Sequence, residues 1–190
     1  MIRIALFASG SGSNAEQIIR HFEGSDEVKV QCIISNKKDA FVHQRALNLN
    51  IPSVTFSRND FYETDNVLNH LNENKVDYII LAGFLWLIPQ NLLVHYSDRI
   101  LNIHPALLPA YGGKNMYGMN VHRAVIENKE KESGITIHYV NEKYDEGEVV
   151  FQAKCAVEPA DTPESLAEKV HALEYEFFPS IIEQVVKTNK

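Results

Sequence analysis

The sequence predicts an α/β protein built on a mostly parallel sheet, with helices on both faces and an antiparallel strand pair in its C-terminal half. In the first hundred residues, apolar runs alternate with segments whose apolar residues recur at helical spacing, which is typical of right-handed βαβ units. Later, two apolar runs bracket a polar turn, as in a β-hairpin. The fold is therefore expected to be Rossmann-like. We expect a single domain over 1–190, divided into a nucleotide-binding-like half (1–100) and a second half (101–190).

Each element follows from a local pattern. Apolar or β-branched runs predict strands at 2–8, 28–34, 54–56, 77–82 and 100–103, and the antiparallel pair at 134–140 and 148–157. Helical spacing of apolar residues predicts helices at 14–22, 40–49 and 121–126. Asp60 and Glu63 have capping-box spacing before a helix that carries Val67, Leu68 and Leu71. Thr162 and Pro163 form a helix-start signal before a long final helix.

The length and the net charge of the chain limit the classes of protein to which it can belong. A chain of 190 residues can bury about 70% of its unfolded surface, so it needs no disulfide or metal to hold its core. Eighteen Lys and Arg against 25 Asp and Glu give a net charge of −7. This charge disfavours a nucleic-acid partner bound through phosphate neutralisation.

Other classes are excluded by motifs that the sequence lacks. Cys32 and Cys155 have no paired spacing, and the histidines match no zinc motif, so we expect free thiols and no metal. The longest apolar run, 78–89, is too short for a membrane span, and the first residues lack the features of a secretory signal. We therefore expect a cytoplasmic protein with no membrane partner.

A loop rich in glycine and serine, residues 9–14, lies between the first predicted strand and the first predicted helix. Glycines bring backbone N–H groups close to an anion, and the helix N-terminus adds the positive end of its dipole. Ser13 and Asn14 add a hydroxyl and an amide that can bind phosphate oxygens. A plain tight turn with a serine N-cap remains an alternative.

The same loop fits the dinucleotide pattern through Gly10, Gly12 and Ala15. That pattern needs an acidic residue at the end of the second strand, where 35–38 read Ser-Asn-Lys-Lys. An NADP-dependent oxidoreductase, which could use these lysines, therefore stays open as a weaker alternative.

A second candidate lies at the end of the strand at 100–103. Period-2 alternation places Asn102 and His104 on one face, and Pro105 ends the strand. Open α/β sheets bind ligands at such strand ends, so a catalytic and a purely structural histidine are equally compatible. Asp145, in the turn 141–147 after a strand that holds Thr136 and His138, is not distinguished by its spacing.

Five segments together resemble the folate-dependent formyltransferase family: 9–14 (SGSGSN), 34–37 (ISNK), 81–84 (LAGF), 101–109 (LNIHPALLP) and 144–147 (YDEG). They occur in the family's order over nearly the whole chain. The resemblance implies the formyltransferase fold, with 101–190 as the catalytic and folate-binding half. The asparagine-isoleucine-histidine-proline block is its most specific part.

The resemblance also implies an activity. Such enzymes move the formyl group of 10-formyltetrahydrofolate, a co-substrate, to an amine without a metal. The glycine-serine-asparagine loop is similar to that of members whose acceptor is N1-(5-phosphoribosyl)glycinamide (glycinamide ribonucleotide), in de novo purine synthesis. The partners are then small molecules, with monomer and homodimer both open. Hydrolysis of the formyl folate and a catalytically silent nucleotide-binding module remain alternatives. Members that act on transfer RNA need a further C-terminal domain and a basic surface, which we do not expect.

The resemblance also implies roles for particular site residues. The catalytic trio is Asn102, His104 and Asp145, with Asp145 holding up the pKa of a protonated His104 that stabilises an oxyanion. The implied acceptor-binding residues are Gly12, Ser13, Asn14 and Glu174. The implied folate-binding residues are Arg58, Leu85, Trp86, Leu87, Ile88, Asn102, Asn141, Glu142, Lys143, Tyr144 and Asp145.

Two further features concern the segment behind the trio. The family's proline after paired leucines suggests a cis Leu108–Pro109 peptide. The loop 110–120 is longer than in many relatives, and a flap over the phosphate and a surface loop remain equally open.

Overall fold

The computed structural model describes residues 1–188, which form a seven-stranded sheet in the order β3-β2-β1-β4-β5-β6-β7. The strands are β1 (Ile2–Phe7), β2 (Val28–Ser35), β3 (Ser53–Thr55), β4 (Tyr78–Leu81), β5 (Ile100–His104), β6 (Glu132–Tyr139) and β7 (Val149–Ala156). Neighbours from β3 to β5 are parallel, and β6 is antiparallel to both β5 and β7. The predicted, mostly parallel sheet with an antiparallel C-terminal pair is confirmed.

The helices of this part of the chain are α1 (Ser13–His21), α2 (Val42–Asn48), α3 (Arg58–Tyr62), α4 (Asn66–Glu73), α5 (Gln90–His95), α6 (Met119–Glu127) and α7 (Pro163–Thr188). None of those within 1–188 combines the length and the apolar character that a membrane-spanning helix requires.

The sheet is buried on both faces, which explains why its strands are continuously apolar rather than alternating. In β1, Ile4 and Leu6 pack on one side, whereas Ala5 and Phe7 pack on the other. The first side is covered by α1, α2, α6 and α7, and the second by α3, α4 and α5. Each fully buried aliphatic side chain contributes roughly 1.5–3 kcal/mol, so the two layers hold the strand ends in fixed positions.

The predicted capping box at Asp60 and Glu63 is wrong. Asp60 is instead the third residue of α3, and its carboxylate accepts hydrogen bonds from the N–H and the hydroxyl of Ser57 at 3.0 and 2.5 Å. Ser57 in turn accepts from the Asp60 N–H at 3.2 Å. A serine cap with an acid three residues later uses both donors, so the chain begins a short helix here and starts α4 only after Asp65. The helix α5, which begins after Pro89, was not among the predicted elements.

The final helix begins as predicted. The Thr162 hydroxyl accepts from the Ser165 N–H at 3.2 Å, and Pro163 is the first helical residue. Leu166 and Val170 are fully buried against the sheet. This packing fixes the rotation of α7 and directs its next inward position, Glu174, towards the carboxyl ends of the strands.

Both cysteines are free thiols. Cys32 is buried within β2, and burial raises the pKa of its thiol to about 12. A thiol held in its protonated form is a poor nucleophile, so Cys32 is a packing residue.

Candidate active site

A cleft of about 410 Å³ opens at the carboxyl ends of β1, β4 and β5. The strand order reverses between β1 and β4, which is where open α/β sheets bind ligands. The size is that of a small-molecule site. Its lining comes from the loop 9–14, the segment 81–88, the end of β5, the loop before α6, the turn after β6, and α7.

The glycine loop is fixed by its backbone. Gly12 has a φ of 72°, and a Cβ at this position would lie 2.4 Å from Val42 Cγ2, so only glycine fits. The Ser9 hydroxyl accepts from the Leu85 N–H at 3.0 Å. The loop is thereby held between α2 and the segment after β4. It presents the first N–H groups of α1, which have no acceptor within the helix.

Glu174 joins this loop from the far end of the chain. The Asn14 amide Nδ2 donates to Glu174 Oε2 at 2.8 Å, across 160 positions of sequence. Glu174 is only 5% exposed, and burial raises the pKa of its carboxyl although the Asn14 hydrogen bond opposes the shift. Four residues implied for acceptor binding, Gly12, Ser13, Asn14 and Glu174, therefore line one end of the cleft.

Asn102, His104 and Asp145 also meet in the cleft. Asn102 and His104 lie on one face of β5, and Asp145 reaches them from the turn between β6 and β7. His104 Nδ1 lies 3.4 Å from Asp145 Oδ2. Asp145 has a φ of 57°, a left-handed conformation that aspartate tolerates better than most residues. The two stretches that carry the trio converge because β6 turns back along β5.

His138 completes this cluster, and the sequence analysis did not identify it as a site residue. It lies directly opposite Asn102 in the β5–β6 register. Asn102 Nδ2 donates to His138 Nε2 at 3.1 Å, while His138 Nδ1 donates to the Tyr139 carbonyl at 2.7 Å. His138 Nε2 also lies 3.6 Å from Asp145 Oδ1. The same period-2 alternation, applied to β6, places Thr136 and His138 on one face, opposite His104 and Asn102. This pattern could have identified His138.

The expected raised pKa of His104 is wrong. Burial lowers the pKa of His104 below its ordinary value, and the attraction of Asp145 only partly offsets this. His104 Nε2 donates to the Tyr111 carbonyl at 2.7 Å, so Nδ1 is the nitrogen without a proton in the neutral ring. The resting site holds a neutral imidazole whose free nitrogen faces a carboxylate.

Asp145 is held in its charged form. Burial alone would raise the pKa of Asp145, but the nearby ring of His138, the interaction with His104 and the Gly113 N–H together lower it. The Gly113 N–H donates to Asp145 Oδ2 at 2.9 Å. A charged Asp145 favours protonation of the adjacent His104 Nδ1 whenever a proton is delivered there.

The segment 110–118 lies against this pair. Tyr111 contacts His104 and Gly113 contacts Asp145 through backbone atoms, and Met116, Tyr117 and Gly118 line the cleft. The Leu108–Pro109 peptide before it is cis. This part of the 110–120 loop is therefore a wall of the site, and Lys114 within it is exposed to solvent.

An apolar wall forms the other end of the cleft, from Leu85 to Ile88. The Trp86 ring packs edge-on against Phe61 at 5.3 Å between centroids, which fixes its orientation. Lys143 and Tyr144 line the cleft, whereas Asn141 and Glu142 lie outside its lining. Asn141 instead shapes the turn, because its side-chain oxygen accepts from the Lys143 N–H at 2.9 Å.

Arg58 also lies outside the lining. Its guanidinium stacks over the rings of Tyr62 and Trp86, at 4.7 and 5.7 Å from their centroids. It therefore stands behind the apolar wall. Among residues 1–188, no cluster of three or more histidine, cysteine or acidic side chains is arranged to hold a metal ion.

A switch-point cleft that joins a glycine loop to a buried histidine–aspartate pair defines an α/β enzyme acting on a small molecule. Residues 2–182 match the formyl transferase family. Because this match spans nearly the whole chain, the chain belongs to that family and is a transferase.

Proteins similar to this chain in sequence and in structure are formyltransferases. The chain is 40% identical to the chloroplastic phosphoribosylglycinamide formyltransferase of Arabidopsis thaliana, over 97% of this chain and 67% of that protein. It is 34% identical to the phosphoribosylglycinamide formyltransferase of Bacillus subtilis, over 100% of this chain and 97% of that protein. The crystal structure of the Bacillus halodurans phosphoribosylglycinamide formyltransferase matches with a TM-score of 0.87 and 34% identity, over 99% and 97% of the two chains.

Proposed function

We propose that the protein transfers the formyl group of 10-formyltetrahydrofolate to the amine of glycinamide ribonucleotide, giving the N-formyl product and tetrahydrofolate in purine synthesis. The relatives support the acceptor, since they are named for it. The observation that carries the proposal is the 3.4 Å approach of His104 Nδ1 to Asp145 in the cleft shared with Asn102. These groups lie between the glycine loop and the apolar wall, as two substrates bound end to end require.

The two ends of the cleft suit the two substrates. The phosphate binds at Gly12, Ser13 and Asn14, where N–H groups and the dipole of α1 favour an anion. Buried Glu174 accepts hydrogen bonds from the same substrate. The pterin lies against the wall from Leu85 to Ile88 and the turn 141–145.

Arg58 is assigned to the folate side of the site. It would reach a carboxylate of the folate tail from behind Trp86, over which its guanidinium stacks. A guanidinium pairs with carboxylates through two parallel hydrogen bonds, which suits this role.

The reaction steps follow from the protonation states of His104 and Asp145. The acceptor amine attacks the formyl carbon, a C–N bond forms, and the formyl oxygen becomes an oxyanion that the free N–H of Asn102 stabilises. The amine proton passes to His104 Nδ1, which is unprotonated in the resting site. His104 then delivers it to the folate N10 as the old C–N bond breaks, so one proton moves between the two nitrogens.

Asp145 and His138 support this transfer. The carboxylate of Asp145 stabilises the imidazolium that exists only during the reaction, which is differential binding of the transition state. His138 accepts one N–H of Asn102 and so directs the other N–H. Neither residue needs to change its own protonation state.

The test is product formation with both substrates, followed by mass spectrometry of the formylated ribonucleotide. We expect product only when acceptor and formyl donor are both present. Formate release without the acceptor would indicate the hydrolase instead. Thermal stabilisation by NADP, and by neither substrate, would favour the oxidoreductase.

A further inference from the structure

His122 is a buried polar side chain that the reaction described above does not use. It is the fourth residue of α6 and only 2% exposed, yet it lines the cleft. Its Nδ1 atom is buried and has no hydrogen-bond partner among residues 1–188. Leaving a buried nitrogen unpaired is unfavourable, so an imidazole that no protein group holds against a binding cleft points to a ligand that pairs with the ring.

His122 lies between His104 and the part of α7 that carries His171 and Glu174. It is close enough to His104 for the two rings to interact electrostatically. On the other side its ring lies 6.5 Å from that of His171 on α7. His171 and Glu174 are three positions apart, on one face of that helix. A molecule that runs from Glu174 to His104 therefore passes His122.

The ring is uncharged at neutral pH. Burial, with a smaller contribution from His171, lowers the pKa of His122 to about 4. A neutral imidazole offers one hydrogen-bonding nitrogen of each kind and no charge. It therefore suits a hydroxyl or an amide rather than a phosphate, and it places no positive charge beside His104.

We propose that the His122 ring is a binding group for the neutral part of the acceptor, the ribose hydroxyls or the glycinamide amide between the phosphate and the reacting amine. This inference rests on the proposed function. It assigns to α6 a role in recognising the acceptor, distinct from the phosphate contacts of the glycine loop. The folate donor makes no use of this residue.

Two substitutions separate a ligand contact from a structural one. His122→Asn keeps a polar side chain at this position, whereas His122→Leu replaces it with an apolar one of similar volume. For His122→Leu we expect the KM for glycinamide ribonucleotide to rise about tenfold or more, equivalent to ~1.4 kcal/mol. The KM for the formyl folate and kcat should stay within about threefold. His122→Asn should recover most of the loss, and His95→Leu, at an exposed position outside the cleft, serves as control.

Thermal unfolding without ligand supplies a second measurement. Because Nδ1 has no protein partner to lose, His122→Leu should keep or raise the wild-type Tm. Its stabilisation by glycinamide ribonucleotide should be smaller than in wild type. A fall of several degrees in the ligand-free Tm, with an unchanged KM, would show a structural role and overturn the inference.

The remaining outcomes are also distinct. If the wild type is active and His122→Leu has an unchanged KM for the acceptor, the role of His122 is overturned and the proposed function stands. If His122→Leu lowers kcat and leaves both KM values unchanged, the binding role of His122 is also overturned, because loss of a binding group would raise KM. A wild type that forms no formylated ribonucleotide overturns the proposed function and this inference together.

Discussion

Asn102 and His138 face each other across β5 and β6, and the amide Nδ2 of Asn102 donates to His138 Nε2 at 3.1 Å. His138 is in turn fixed by its hydrogen bond to the Tyr139 carbonyl. Each group orients the next, so the direction of the free Asn102 N–H is set by β6 rather than by its own strand. Preorganised donors of this kind stabilise an oxyanion without reorganising during the reaction.

Removing His138 should therefore lower kcat through Asn102. For His138→Leu we expect a loss of about 10- to 100-fold, smaller than the roughly 10²- to 10³-fold cost of removing an oxyanion donor outright, with little change in either KM. His138→Gln, whose side-chain oxygen can accept from Asn102, should retain much of the activity. Steady-state kinetics of both variants test this, and equal losses in the two would contradict the orienting role.

His104→Ala and Asp145→Asn should each reduce kcat by about 10²- to 10⁴-fold, the usual contribution of a positioned acid–base group. Folding should persist, because both side chains act at the cleft and neither belongs to the two packed layers. Turnover numbers and melting curves should be measured together. Unchanged turnover in either variant would remove that residue from the mechanism.

The pH profile follows from the lowered pKa of His104. A base that must be neutral loses activity as pH falls through its pKa, so His104 should limit kcat/KM only below the ordinary histidine value of about 6.5. Any change at higher pH should come from the acceptor amine, since an α-amino group titrates at about 8. Asp145→Asn removes the charge that raises this pKa, so its residual activity should decline at a still lower pH. A profile that instead declines as pH rises through 6.5 would indicate that the protonated ring is the active form.

The glycine loop predicts an effect on acceptor affinity. Ser13→Ala combined with Asn14→Ala removes two side-chain donors, and the second also leaves buried Glu174 without its partner at 2.8 Å. We expect a raised KM for glycinamide ribonucleotide and an unchanged KM for the formyl folate. An unchanged acceptor KM would move the phosphate to another part of the cleft.

Gly12 and Gly10 form a matched pair for stability. Gly12→Ala places a Cβ 2.4 Å from Val42 Cγ2 at a φ of 72°, whereas a Cβ at Gly10 has nothing within 4 Å. We expect Gly12→Ala to cost about 2 kcal/mol or more, a Tm loss of roughly 4–8 °C for a protein of this size. Gly10→Ala should melt close to wild type, and similar losses in both would show that strain at Gly12 is not the cause.

Sequence patterns predicted the elements whose causes are local. The two-sided burial of β1 and β4 appears as continuous apolar runs, and Thr162 caps α7 through its own neighbours. The error at Asp60 is of the same local kind: Asp60 fits both as a cap and as the third residue after Ser57. Spacing does not choose between these until the backbone bonds are formed.

The sequence by itself determined the sheet, the glycine loop at a strand end, and the shared face of Asn102 and His104, because residue periodicity alone sets these. Only the tertiary structure decided which remote groups meet: Asp145 with His104, His138 with Asn102, and Glu174 with Asn14 across 160 positions. It also decided the pKa of His104, since burial depends on every layer packed around the ring and outweighs the one charge that the sequence could suggest.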